Sequence, residues 1–163
     1  MKQIVLLSDT HSYMGDEIKR HVENADEIWH AGDIGSMEVA ETLQKYAPLR
    51  AVYGNIDNAE IRMEFPLIQN FMCEEVKIWM THIGGYPPRY TPELKKTLLI
   101  EKPKLFICGH SHILKVIPDA KLNVLHMNPG AIGKHGFHQV RTLLKFKIEG
   151  ANISDLNVVE FPR

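Results

Sequence analysis

The chain has 163 residues, 44% of them hydrophobic and 24% charged, with a formal net charge of -1. That length can bury a substantial core within one domain spanning 1–163, while the near-zero charge gives no support to an extended electropositive surface for nucleic acid. Cys73 and Cys108 are far apart, lie in apolar stretches and form no CxxC pair, which argues against a disulfide framework and for buried thiols in a reducing, cytoplasmic setting.

The first apolar run, Ile4 to Leu7, is short and continuous, as in a strand buried on both faces, and ends at Ser8-Asp9. It is too short for a signal segment, and no run in the chain reaches the length of a membrane span. Ile18 and Val22, four apart, predict a helix from about Gly15 to Val22. Glu27 to Ala31 predicts a second strand that runs into Gly32-Asp33. Ser36 to Tyr46 reads as a helix, with Ser36 at the N-cap, a stripe of Met37, Ala40, Leu43 and Ala47, and Pro48 as its stop. Leu49 to Tyr53 is the third strand and leads to Gly54-Asn55. This alternation predicts a parallel sheet with crossover helices. Ligands of such sheets gather beyond the carboxyl ends of the strands.

Further along, Val76 to Thr81 predicts a strand leading to His82. A helix follows from Thr91-Pro92-Glu93 to about Ile100, with Pro at its first turn and Leu94, Leu98 and Leu99 facing inward. Leu105 to Cys108 is another strand and ends at Gly109. Leu114 to Met127 reads as a hairpin turning near Asp119-Ala120-Lys121, and Asn128-Pro129-Gly130 as a turn. Val140 to Ile148 and Ile153 to Glu160 predict a closing antiparallel pair joined at Glu149-Gly150.

Four fragments with metal-binding chemistry sit at the ends of these strands: Asp9-Thr10-His11, Gly32-Asp33, Gly54-Asn55-Ile56-Asp57 and Gly109-His110-Ser111-His112. A lone His82 follows a fifth strand. Hard divalent metals such as manganese take oxygen ligands and accept imidazole. Asp33, on a strand between other ligand-bearing strands, is the candidate bridge between two metals. Cations about 3.5–4 Å apart can hold a hydroxide between them and bind phosphoryl oxygens, which suits phosphate ester hydrolysis. Gly32, Gly54 and Gly109 each precede a candidate ligand, where a residue without a side chain lets the backbone turn close to the metals. In Gly109-His110-Ser111-His112 an extended backbone would point both imidazoles the same way, whereas a bend would send each to a different metal.

Asp-x-His, Gly-Asp, Gly-Asn-x-Asp, a lone His and Gly-His-x-His, in that order, resemble the calcineurin-like metallophosphoesterases. The short length and the Gly-Asn-x-Asp form are similar to the small bacterial and archaeal phosphodiesterase branch. The resemblance runs from Asp9 to about Gly130 and includes Asn128-Pro129-Gly130-Ala131. It implies an α/β fold, a four-layer αββα sandwich of two mixed β-sheets flanked by helices. It implies two divalent metal ions, manganese first, with nickel, iron, zinc or magnesium as alternatives. Asp9, His11, Asp33 and His112 would hold one metal, and Asp33, Asn55, His82 and His110 the other. Asn55 and His82 would also share in catalysis beside a metal-bridging hydroxide. The substrate implied is a small phosphodiester, with monoesters as the alternative.

Two departures stand out. Larger relatives carry a His after Gly-Asn that serves the leaving group or the phosphate; here it is Ile56, so the general acid is unassigned. After His82, Ile83 intervenes before Gly84-Gly85, and the loop through Arg89 could cover the site and bring Arg89 to phosphate.

Each fragment alone has a plainer reading. Asp9-Thr10-His11 alone suits a capping turn, Gly32-Asp33 and Asn55 suit turns, and His82 suits a core histidine; only the ordered set favours metal. His30 either holds a ligand by a hydrogen bond or simply packs. Asp57 either orients Asn55 or caps the next segment, with capping favoured. His126 is placed near the site through Asn128, His21, His135 and His138 in solvent, and Trp29 and Trp79 in the core. The rival to an enzyme is a non-catalytic scaffold, like the retromer subunit of this fold. A nuclease would need a basic groove that the sequence lacks. No membrane partner is expected, and exposed strand edges leave room for a homo-oligomer.

Overall fold

The computed structural model describes residues 1–163. In chain order the elements are β1 (Lys2–Leu7), α1 (Asp16–Val22), β2 (Glu27–His30), α2 (Met37–Gln44), β3 (Leu49–Ala51), α3 (Ala59–Glu64), β4 (Ile68–Cys73), β5 (Val76–Thr81), α4 (Pro92–Glu101), β6 (Leu105–Ile107), β7 (Leu114–Asp119), β8 (Val124–Pro129), β9 (Arg141–Glu149) and β10 (Asn152–Phe161). They form two five-stranded sheets, ordered β10-β9-β1-β2-β3 and β4-β5-β6-β8-β7. Both are mixed. β1, β2 and β3 pair in parallel, and β9 and β10 extend that sheet antiparallel. In the other sheet β5, β6 and β8 are parallel, with β4 and β7 antiparallel at the edges.

Alternation along the strands sorts the core into three buried layers, because successive side chains leave opposite faces of a sheet. Val5, Leu7 and Ile28 face Ile18 and Val22 of α1 and Val39, Ala40 and Leu43 of α2. Ile4, Leu6 and Trp29 face the other way, onto Val76, Ile78, Met80, Leu105 and Ile107 of the second sheet. Trp79, Phe106 and Val124 lie on the far side of that sheet, against Leu98 of α4. Helix, sheet, sheet, helix is therefore the four-layer αββα sandwich. Each large apolar side chain in these layers contributes about 1.5–3 kcal/mol by leaving water.

Several local expectations need correction. The segment after Asn55 holds a further helix, α3, capped by the Asn58 side chain, which accepts the Ile61 N–H at 3.1 Å. Asp57 therefore does not cap it. β4 forms a hairpin with β5 that its short, polar-interrupted sequence hardly signals. Ser36 stands at the N-cap of α2, but its side chain makes no capping bond. On α4, Leu98 is buried whereas Leu99 is exposed. Asn128 and Pro129 belong to β8 rather than to a turn, and the chain bends at Gly130. His21 packs edge-on against Phe161 instead of standing free in solvent.

Candidate metal centre

The parallel strands of both sheets end at one rim of the sandwich. β1 runs into Asp9, β2 into Asp33, β3 into Asn55, β5 into His82 and β6 into His110. Two groups of potential ligand atoms form there, Asp9 with His11 and His112, and Asp33 with His82 and His110; within each group the atoms lie no more than 4.8 Å apart. Asn55 Oδ1 is 3.1 Å from His110 Nδ1. All seven side chains singled out in the sequence thus share one place.

Holding them there strains the backbone. Asp9, His11, Asp33, His110 and His112 all have positive φ, between 45° and 70°, a region that costs a non-glycine residue about 1–3 kcal/mol. The bends at His110 and His112 send the two imidazoles to different groups, as the bent form of Gly-His-Ser-His requires. Gly54 is needed for close approach, since a Cβ there would collide with Asp33 Oδ1 and the Asp33 backbone nitrogen. Gly32, at φ 103°, would carry a Cβ into the His82 ring.

Each carboxylate uses one oxygen for the protein and aims the other at the common space. Asp9 Oδ2 accepts the Ser8 hydroxyl at 2.6 Å and the His110 N–H at 3.2 Å. Its Oδ1 is buried without a hydrogen-bond partner, 3.2 Å from His112 Nε2, 3.8 Å from His11 Nε2 and 3.9 Å from His82 Nε2. Asp33 Oδ1 accepts the Ile56 N–H at 3.1 Å, while Oδ2 lies 3.4 Å from His11 Nε2 and 3.2 Å from His82 Nε2. Both carboxylates, not Asp33 alone, therefore stand between the two groups.

Burial pushes both carboxyls upward. The imidazoles of His11 and His112 beside Asp9, and of His11 and His82 beside Asp33, outweigh it and hold both well below the usual carboxylate range. The same proximity, to Asp33 first and then Asp9, raises His11 to about 9. For His82 burial acts downward, but Asp33 and Asp9 win and its pKa is raised.

Hydrogen bonds on the far side of each imidazole set its tautomer. His82 Nδ1 sits 2.7 Å from the Ala31 carbonyl, which can only accept, so Nδ1 donates and Nε2 presents a lone pair inward. His138 Nε2 donates to the Gly133 carbonyl at 2.8 Å, leaving its Nδ1 to accept from His112 Nδ1 at 3.2 Å. His112 then also presents Nε2 inward. His135 stacks on His11, with ring centroids 4.7 Å apart. His135 and His138 are thus part of the site rather than free in solvent. No local sequence signal marks either of them.

Supporting residues complete the frame. His30 is fully buried; its Nδ1 accepts the Gly32 N–H and its Nε2 meets the Thr10 hydroxyl, both at 3.1 Å. It ties the Asp9–His11 turn to the Gly32–Asp33 turn, and burial pushes its pKa down to about 4. The Asp57 carboxylate accepts N–H groups of Ile34, Gly35 and Gly54 at 3.1, 2.8 and 2.7 Å, binding the Asp33 and Asn55 loops together. Asn128 donates to the Gly109 carbonyl and the Ser111 hydroxyl. His126 is not in the site; it packs on Phe106 behind the second sheet and pairs with the Tyr90 hydroxyl. Arg89 lines a separate cavity beyond β5 with Trp79 and Thr97. Trp29 and Trp79 are core residues.

Three buried atoms, Asp9 Oδ1, His11 Nε2 and His82 Nε2, have no hydrogen-bond partner. An unsatisfied buried polar group costs about 1–3 kcal/mol, and these three converge on one space with a carboxylate-and-imidazole donor set that suits divalent cations. The residues fit a dinuclear metal centre. A cleft of about 550 Å³ opens above it, with Ile56, Ile113 and Phe137 among its walls. No helix is long and apolar enough to cross a membrane.

Comparison with known proteins agrees with this geometry. Residues 1–151 match the calcineurin-like phosphoesterase superfamily domain. A probable metallophosphoesterase of Methanocaldococcus jannaschii is 31% identical over 135 residues, covering 78% of this chain and 67% of that protein. Among solved structures, an archaeal phosphodiesterase superposes with a TM-score of 0.71 at 21% identity, covering 96% of this chain and 99% of the other. Vps29 of Entamoeba histolytica, complexed with zinc, superposes with a TM-score of 0.76 at 13% identity, covering 98% of each chain. Identities that low establish the shared fold alone.

Proposed function

The chain belongs to the calcineurin-like phosphoesterase superfamily, and from that premise we propose that it is a dinuclear metal-dependent phosphoesterase that hydrolyses small phosphodiesters, with monoesters as secondary substrates. The supporting observation is the convergence of three unpartnered buried atoms from Asp9, His11 and His82 at the shared rim of both sheets. Asp9, His11 and His112 would hold one cation, and Asn55, His82 and His110 the other, with Asp33 shared. Manganese suits this oxygen-and-imidazole set, and nickel, iron, zinc or magnesium are the alternatives. When bound, two such cations would supply an ionised water at neutral pH and neutralise the phosphoryl oxygens.

The chain's own residues do the rest. Asp9 and Asp33 stay ionised, each with one oxygen fixed by backbone or hydroxyl donors. Ala31 and His138 hold His82 and His112 in the tautomer that points Nε2 inward. Asn55, exposed with its Oδ1 3.1 Å from His110 Nδ1, would donate its amide N–H to a phosphoryl oxygen. Neither Lys nor Arg lines the 550 Å³ cleft, which favours a small ester over a nucleic acid.

The likeness to Vps29 keeps a second reading in view, a non-catalytic scaffold of the same fold. Release of nitrophenol from bis-p-nitrophenyl phosphate, after chelation and return of manganese, separates the two. Metal-dependent release is expected. No release with any divalent metal, together with no metal binding by calorimetry, would give the chain to the scaffold reading.

A further inference from the structure

A second cleft, about 410 Å³, opens on the other side of the metal centre and shares Asn55 with the first. His82 lies in its wall, so it reaches the same candidate ligands from the β5 side. Its remaining character comes from Tyr53, Leu67, Ile83 and Arg62. Leu67 and Ile83 are half exposed and present apolar surface.

Arg62 is held unusually firmly for an exposed side chain. Its Nε donates to the Asp57 carbonyl at 2.7 Å and Nη2 to the Asn55 carbonyl at 3.2 Å. Its guanidinium carbon lies 4.7 Å from the centre of the Tyr53 ring. None of the chain's ion pairs includes it. A guanidinium offers five N–H donors, so two backbone bonds leave the outer nitrogen and its charge available. Because its planar fork is already fixed, little side-chain freedom is left to lose on meeting an anion.

We propose that this second cleft receives one ester arm of the substrate, and that the arm is an apolar or aromatic body carrying an additional oxyanion, recognised by Arg62. The proposal rests on the phosphoesterase reading above. A phosphodiester bound at the metal centre has two arms, and the two clefts meeting at Asn55 give each arm its own wall. Leu67, Ile83 and Tyr53 suit the body of the arm, while Arg62 selects for charge at its end.

Calorimetric binding to the manganese-loaded protein tests this without turnover. The probes are diphenyl phosphate and its analogues bearing a 4-carboxylate or a 4-phosphonate on one ring. Both charged analogues are expected to bind about tenfold more tightly than diphenyl phosphate, the worth of one charge-assisted hydrogen bond; a preference for only one identifies the oxyanion. Arg62→Gln retains an N–H for the backbone carbonyls but no charge. It is expected to erase the preference, read as the ratio of each charged analogue's affinity to that of diphenyl phosphate in the same protein. Leu67→Glu, at an exposed position outside the Arg62 bonds, is expected to repel the charged analogues. Equal binding of all three probes by the unaltered protein would overturn the proposal. So would an Arg62→Gln protein that weakens all three alike, since Arg62 would then only brace the Asn55 loop. Failure to hydrolyse bis-p-nitrophenyl phosphate, with the charge preference intact, would instead count against the catalytic reading.

Discussion

At the scale of single residues, the ligands are simple and their supports decide their chemistry. His112 can present Nε2 inward because His138 accepts from its Nδ1, and His138 can accept because the Gly133 carbonyl takes its other proton. Outer hydrogen-bond partners of this kind are typically worth about 10–100-fold in metal affinity. His138→Ala should therefore weaken one of two manganese-binding events by about that factor and spare the other, as read by calorimetry. His138→Gln, which can still accept, should recover part of the loss. Ile56 makes the opposite point. It faces the 550 Å³ cleft with a side chain that cannot donate a proton, so esters with good leaving groups should turn over much faster than alkyl esters. Equal rates on p-nitrophenyl and alkyl diesters would remove that argument. The clustering of the seven candidate ligands was legible because each is a chemically distinctive residue at or just beyond a strand end. His135 and His138 were not, because nothing local marks an imidazole in a loop as facing another element. Asp57 misled for a related reason. An acidic residue before a helix reads as a cap, yet its carboxylate accepts three backbone N–H groups, two from the Asp33 loop and one from its own.

At the scale of elements, legibility followed length and regularity. β6 and the Ile4–Leu7 part of β1 are continuous apolar runs buried on both faces, as such runs predict, and β2 and β5 are buried almost throughout although Glu27, His30 and Lys77 interrupt them. α3 has only six residues, and β4 on a sheet edge exposes apolar Ile68 and Met72 while half-burying polar Gln69, so neither imposes a clear period. The caps of α2 and α4 show how a correct boundary can rest on different physics. Thr91 accepts the Leu94 N–H at 3.2 Å, whereas Ser36 occupies the equivalent place on α2 without using its hydroxyl. Thr91→Ala should accordingly cost about 1 kcal/mol in chemical denaturation, while Ser36→Ala should change stability by less than about 0.5 kcal/mol, as for an ordinary surface substitution. Equal losses would mean that boundary position, not the side-chain bond, sets the stability of these helix starts.

At the scale of the whole molecule, two sheets stacked with their parallel strands ending at one rim explain why residues from Asp9 to His112 can meet. That stacking also buries histidines away from the rim. His126 lies in the layer between the second sheet and α4, against Phe106 and Tyr90. Burial, with help from the charge of Lys115, lowers its pKa from the ordinary 6.5 to about 4. The unfolded chain therefore takes up a proton as pH falls through about 6.5, while the folded chain resists until about 4. Stability from this group is fully present above pH 6.5 and declines between 6.5 and 4, by something on the order of 3 kcal/mol in total. Thermal unfolding with chelator present, so that metal release does not contribute, should show the melting temperature falling through that window. His126→Gln offers an uncharged partner to the Tyr90 hydroxyl and removes the titrating group. It should flatten the fall while lowering stability modestly at neutral pH. His30, buried between the Asp9 and Asp33 turns with its pKa also near 4, should supply the slope that remains. A variant curve as steep as the parent's would place the acid sensitivity elsewhere, among the carboxylates held below their usual range, Asp9 and Asp33 foremost.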